Sequence, residues 1–289
     1  AMRPGGVHRG GWIGLREQDI QRRPYASFFG YFLVWHKKVT YPYADKRSFI
    51  FLYILRFFRY DKKKTGGLHM NKFFPEIKKN FGFGCMRFPM NGEVVDVGAV
   101  MEMVDYFMAS GFNYFDTARP YHSGTSEGVL RQCLTSRYPR ESFVLTNKLS
   151  MGLFNSREEI RPVFEDQLRV CGVEYFDVYM LHWLNKKNYT IAEKYDEFGF
   201  LQQLKEKGLA RKTGFSYHDT ADLLDEILTK HPEVDYVLLQ INYLDWESDA
   251  IQSRLCYETC VKHGKKVIVM EPVKGGSLAN IPDRAKEIL

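Results

Sequence analysis

Residues Gly111 to Glu127 read GFNYFDTARPYHSGTSE, and this stretch decides the fold. Phe112 to Thr117 cluster strand-forming residues as a buried strand does, and an ionisable residue, Asp116, stands where the apolar run ends. Tyr121 follows five positions later in a segment broken by Pro120 and Gly124, which places it on the loop leaving the strand. Two later runs close the same way. FVLTNK (143–148) ends on Lys148, and FDVYMLHW (176–183) brings His182 to its end. Asp, Tyr, Lys and His therefore arise at the carboxyl ends of three successive strands, the face on which (β/α) barrels build their sites.

Outward from that stretch the chain alternates strand and helix patterns at spacings that indicate a parallel sheet. FGFGCMRFP (81–89) is a first strand with a glycine-bearing exit, ARKTGFSYH (210–218) a fifth, YVLLQINYL (236–244) a sixth and KVIVMEP (266–272) a seventh. Between them Asp96 caps a helix with core residues Val97, Val100, Met101, Val104, Phe107 and Met108, and Gly111 ends it. Ser126 opens a helix through Leu134. Ser156 with Glu159 forms a capping box before Ile160, Val163, Phe164 and Leu168. The Lys- and Asn-rich segment 183–195 reads as a loop over the mouth, Asp219 caps the helix carrying Leu223 to Leu228, and Ile251 with Leu255 marks the last helix. The expected architecture is α/β: a (β/α)8 TIM barrel cut off after its seventh strand, whose first and seventh strands lack a shared neighbour.

Four such polar groups on one rim suit hydride transfer to a carbonyl. The carbonyl carbon takes hydride and its oxygen needs a proton from a donor whose pKa lies near the working pH. Free tyrosine, at about 10, is a weak acid for this purpose. The expectation is that Lys148 lowers the Tyr121 pKa by stabilising phenolate and that Asp116 positions the ammonium. His182 is suited to polarising the substrate oxygen. Taken singly, the plainer readings prevail: Asp116 as a turn or cap residue, Lys148 as a solvated strand end, Tyr121 as a half-buried loop aromatic and His182 as a satisfied core histidine beside Trp183.

The segments GFNYFDTARPY with SE, TNK, LHW, GFSYH, QINY and VIVMEPVKGG strongly resemble the aldo-keto reductase family over roughly Phe81 to Asn280. The resemblance implies a catalytic tetrad of Asp116, Tyr121, Lys148 and His182. It implies an NADP(H) or NAD(H) site formed by Cys85, Met86, Asp116, Ser216, Gln240, Met270, Pro272, Val273 and Lys274, with Ser216 and Gln240 on the carboxamide. Two positions depart from the common pattern: Tyr217 stands where an asparagine often holds the carboxamide, and Met270 where an aromatic usually stacks on the nicotinamide. The family's adenosine grip follows an eighth strand, which is not found before Leu289. YHSGTSE, GFSYHD and MEPVKGG look nearest to a bacterial and archaeal branch carrying a ferredoxin-like tail, so a 4Fe-4S cluster is expected only if such a tail follows Leu289.

Composition bounds the rest. The 289 residues are 45% hydrophobic, ample for a sizeable core. Residues 1–69 hold 14 Lys or Arg against 4 Asp or Glu, leaving 27 against 31 for residues 70–289, so the barrel portion is mildly acidic. The pI of about 8.9 is therefore no argument for a nucleic-acid partner. Cys85, Cys133, Cys171, Cys256 and Cys260 form no disulfide or metal framework, which suits a cytoplasmic location.

Residues 1–69 do not read as a domain, and their apolar clusters are shorter than the roughly 20 residues of a membrane span. Gly66 to His69 back-translates to a bacterial ribosome-binding sequence, so translation is expected to start at Met70, with the domain spanning 70–289. A disordered or membrane-associating basic extension is the alternative reading. The expected partner is a small carbonyl compound, with neither nucleic acid nor membrane; oligomeric state is open. The rival functions are a cofactor-binding regulatory barrel with little turnover and an electron-transfer enzyme fed by an iron-sulfur tail.

Overall fold

Short, largely apolar runs rich in β-branched and aromatic residues build the strands of one parallel sheet. The computed structural model describes residues 76–279, so the expectations for residues 1–69 and Met70 lie outside the described residues, as do residues 280–289. The strands are β1 (Gly82–Gly84), β4 (Tyr114–Asp116), β5 (Val144–Leu149), β6 (Phe176–Leu184), β7 (Ala210–Tyr217), β8 (Tyr236–Gln240) and β9 (Lys266–Met270). They pair in parallel in the order β1-β4-β5-β6-β7-β8-β9. β2 (Met90–Asn91) and β3 (Val94–Val95) form a separate antiparallel hairpin closed by Gly92 at φ 62°.

Helices α1 (Val97–Ala109), α2 (Ser126–Leu130), α3 (Arg157–Cys171), α4 (Lys186–Lys194), α5 (Glu197–Glu206), α6 (Ala221–Lys230) and α7 (Ser253–Lys262) fill the crossovers. Such connections leave parallel strands covered by helices, which is why these strands are apolar on both faces. The pleat sorts the core into two layers. Phe83, Phe115, Leu145, Tyr179, Phe215 and Val237 face the helices. Tyr114, Val144, Val178, Met180, Tyr236 and Leu238 face the other way and form the inner packing, with Ile268 and Met270 against them. Gly214 is required on that inner face, because a Cβ there would stand 2.2 Å from the Tyr236 carbonyl oxygen.

The seven parallel strands follow the barrel order. Among the described residues β1 and β9 do not pair with each other. The loops beyond them are joined instead by an ion pair of Arg87 with Glu271 at 2.8 Å.

Several local expectations are corrected. The segment expected as a loop over 183–195 contains α4, because Asn185 accepts a hydrogen bond from the Asn188 N–H at its start and Tyr189 and Ala192 bury one face. Ser156 makes no side-chain cap; Glu159 accepts instead from the Asn155 N–H. Asp219 accepts from the N–H groups of Thr220 and Lys186 and lies one residue before the cap of α6. Ile251 precedes α7, and the face that α7 buries carries Ser253, Cys256 and Cys260, while Leu255 is exposed. α2 continues into a π-turn over Arg131–Thr135 rather than one regular helix.

Candidate active site

The site is assembled where β4, β5 and β6 end. Register pairs Asp116 of β4 with Thr146 of β5, and Lys148 of β5 with Met180 of β6. Since residues two apart on a strand share a face, Lys148 and His182 point to the same inner side as Asp116. The Lys148 ammonium, wholly buried, donates to Asp116 Oδ1 at 2.5 Å, to the Thr117 carbonyl oxygen at 2.8 Å and to the Tyr121 hydroxyl at 3.2 Å. The rings of Tyr121 and His182 meet nearly edge to face, 5.8 Å apart. The structure thus brings together all four tetrad residues expected from the sequence.

Burial governs the protonation states. Burial pushes the Lys148 ammonium down, but the charge of Asp116, then Tyr121, and the hydrogen bonds to both lift it above its ordinary value. Tyr121 moves in the direction opposite to the sequence expectation. Loss of solvent raises its pKa more than Lys148 lowers it, and Asp116 raises it further. The resting phenol is accordingly held protonated, with its lysine partner charged. His182 is pushed down to about 3, chiefly by burial and then by the Lys148 and His218 charges, so its imidazole is neutral across the physiological range.

At its end β6 is bulged. Leu181 pairs with Phe215 and Leu184 with Tyr217, so His182 and Trp183 together oppose Ser216. Such a bulge re-aims side chains at a strand end. Trp183 takes φ 61°, held by the Ser216 hydroxyl, which accepts from its N–H at 2.7 Å, and by Asn188, which donates to its carbonyl oxygen. Its indole is exposed at the mouth, as are Met86, Tyr243 and Leu244 on the exits of β1 and β8.

A second layer of buried polar groups, unread in the sequence beyond the quoted SE and TNK, supports the tetrad from the helix side. Arg119, on the loop between Asp116 and Tyr121, pairs with buried Glu127 at 2.5 Å and with Asp166 at 2.8 Å. Glu127 accepts from Asn147 at 2.8 Å and Gln167 at 2.9 Å, and Gln167 also donates to the Lys148 carbonyl oxygen. Ser126 donates to the Cys85 carbonyl oxygen and meets Thr117, joining the ends of β1 and β4 to α2. His122 accepts from the Phe88 N–H at 2.8 Å and stacks on its ring, tying the β1 exit to the Tyr121 loop.

Of the residues expected around a nicotinamide, Ser216 is the penultimate residue of β7 while Gln240 and Met270 end the adjacent strands β8 and β9, with Gln240 in register with Met270. Gln240 donates to Asp245 through Nε2, which leaves its carbonyl oxygen for a carboxamide N–H. Asp116 Oδ2 is a buried atom without a hydrogen-bond partner among the described residues. A hydroxyl, an amide oxygen and an apolar flank fit a nicotinamide carboxamide and ring. Cys85 is fully buried with its thiol on the Phe83 carbonyl oxygen and its backbone N–H on the Asp116 carbonyl oxygen, whereas Met86 is exposed. Pro272 and Val273 are half-buried on the exit of β9, and Lys274 is committed to Asp245 at 2.5 Å. Tyr217 points to the helix side and donates to the Thr220 carbonyl oxygen.

The family model described as "Aldo/keto reductase family" matches residues 80–287. The chain is similar to the NADH-specific methylglyoxal reductase of Escherichia coli K12, with 31% identity over 187 residues covering 58% of this chain and 54% of that protein. Among solved structures it resembles the holo form of an aldo-keto reductase from Bacillus halodurans at 25% identity and TM-score 0.54, covering 71% of this chain and 65% of that one. The fold also matches the Bombyx mori aldo-keto reductase in complex with NADP, at 19% identity and TM-score 0.53 over 71% of this chain and 67% of that one. The chain spans between 54% and 64% of the length of the first curated relatives it matches.

Proposed function

This chain belongs to the aldo/keto reductase family, and from that membership and the tetrad we propose that it reduces an aldehyde or ketone to an alcohol, with Tyr121 as proton donor. The observation that carries the reading is the 3.2 Å contact of the Lys148 ammonium with the Tyr121 hydroxyl. When bound, NADPH or NADH would supply the hydride, held by Ser216, Gln240 and the Met270 flank. Tyr121, protonated at rest, gives its hydrogen to the carbonyl oxygen as negative charge develops there. Lys148 lies where it stabilises the phenolate left behind, and solvent at the mouth restores the proton. His182, neutral, orients the carbonyl oxygen beside Tyr121. The exposed side chains of Met86, Trp183, Tyr243 and Leu244 favour a small carbonyl compound with apolar substituents. Five free, buried thiols support a cytoplasmic site of action.

The test is Tyr121→Phe assayed on a panel of aldehydes and ketones. Carbonyl reduction is expected to fall by about 10²- to 10⁴-fold, while titration of cofactor binding stays near wild type. Unchanged turnover in the variant would remove the assignment.

A further inference from the structure

We infer that Ser150 sets the tautomer of His182: its hydroxyl donates to Nδ1, so the single imidazole hydrogen sits on Nε2, the nitrogen open to the mouth. Ser150 directly follows β5 and lies two residues beyond Lys148, on the inner face. Ser150 is 4% exposed, and its Oγ lies 2.6 Å from His182 Nδ1. Among the described residues no other hydrogen-bond partner is found for either that hydroxyl or the imidazole. His182 Nε2 makes no hydrogen bond among the described residues and keeps some solvent exposure, on the side where the ring meets Tyr121.

The two proton placements are not equivalent. If Nδ1 carried the hydrogen, Ser150 would accept it, and the serine's own hydrogen would be left in a buried position with no acceptor. Nε2 would then present a lone pair to the mouth, where a carbonyl oxygen also presents lone pairs. With the hydrogen on Nε2, the serine hydrogen is satisfied by Nδ1 and the mouth receives a donor. Burial and the Lys148 charge keep the ring neutral, so one nitrogen alone holds hydrogen. Ser150 is thus a positioning residue: it touches no reacting atom and acts by holding His182 in the one form able to donate. This use of the tautomer rests on the proposed carbonyl reduction; the tautomer itself does not.

The test separates the two. In the full chain with ¹⁵N-labelled histidine, the long-range ¹H–¹⁵N spectrum of His182, assigned by its loss in His182→Gln, is expected to show hydrogen on Nε2 and an accepting Nδ1, with no change between pH 8 and pH 5. In Ser150→Ala the Nδ1 signal shifts toward tautomer exchange, kcat falls about tenfold and cofactor affinity holds, while Ser150→Thr restores the wild-type pattern. A wild-type spectrum with hydrogen on Nδ1, or a Ser150→Thr variant that behaves like Ser150→Ala, overturns the inference. The spectrum needs no turnover, so a failure of the reductase reading, seen with Tyr121→Phe, is a separate result.

Discussion

The ammonium of Lys148 stands 3.2 Å from the hydroxyl of Tyr121, and the lysine is fully buried while making that contact. A cation in such a place persists only with a counter-charge, and Asp116 supplies it at 2.5 Å. Burial of the same pocket raises the phenol's pKa, so the resting pair is phenol beside ammonium. The cation favours the phenolate and so offsets part of that rise, but burial outweighs it.

That arrangement predicts a thermodynamic cycle. Lys148→Met leaves the Asp116 carboxylate without its partner and is expected to cost about 3–5 kcal/mol of stability and nearly all activity. Adding Asp116→Asn returns most of the stability, because no lone charge is left, but none of the activity. Denaturant midpoints and turnover of Lys148→Met, Asp116→Asn and the double variant check this; recovery of activity in the double variant contradicts it.

Acid should weaken the fold through its buried histidines. The folded-state pKa of His182 lies at about 3, below the roughly 6.5 of an unfolded histidine, and burial lowers His122 and His218 as well. A lowered pKa means the unfolded chain binds the proton first, so the stability present above pH 6.5 is lost as pH falls toward 3. His182→Gln is expected to flatten this slope by about 2–4 kcal/mol between pH 7 and pH 4, read from thermal midpoints.

Alkali acts through Glu197. This residue at the start of α5 is fully buried, neither carboxyl oxygen has a hydrogen-bond partner among the described residues, and burial pushes it up to about 8. A raised carboxyl pKa gives stability that is complete below about 4.5 and is lost as pH climbs through 8. Glu197→Gln should therefore gain about 2–4 kcal/mol over the native chain at pH 9 and little at pH 4.5. A parallel pH profile for the two proteins would contradict the burial argument.

Glu127 is expected to matter for catalysis at a distance. It joins Arg119 of the Tyr121 loop to Asn147, the residue before Lys148. Glu127→Gln removes the buried charge, and about 1–3 kcal/mol of stability with it. It should lower kcat more than it raises the cofactor Kd. Arg119 keeps its Asp166 partner in that variant, so adding Arg119→Met should change stability little further and should not recover kcat.

Gly214→Ala tests the inner face of the sheet. The new methyl group has backbone, not a flexible side chain, 2.2 Å away, so β7 and β8 must part. A loss of about 3 kcal/mol or more is expected in chemical denaturation. An alanine variant as stable as the native protein would show that the strands are not paired in this register.

Much of this molecule was legible from local pattern. Most of the strands advertise themselves by a short apolar run, and Asp116, Lys148 and His182 lie at or near the ends of strands that are neighbours in both chain and sheet. Their convergence follows from parallel order and a two-residue period. α4 escaped because its Lys- and Asn-rich surface hides a buried face carried by only Tyr189 and Ala192. The hairpin of β2 and β3 has two residues per strand, too few for periodicity to show. What tertiary structure alone decided is everything that depends on distant groups sharing a closed space. Ser150 meets His182 across 32 residues of chain, and the bulge that turns Trp183 outward is defined only by the partner strand. The direction of the Tyr121 shift is set by how much water the fold removes, against one lysine whose presence the sequence already declared. Residue identity names the charges, but the balance between solvation and Coulomb attraction exists only once the chain has enclosed them.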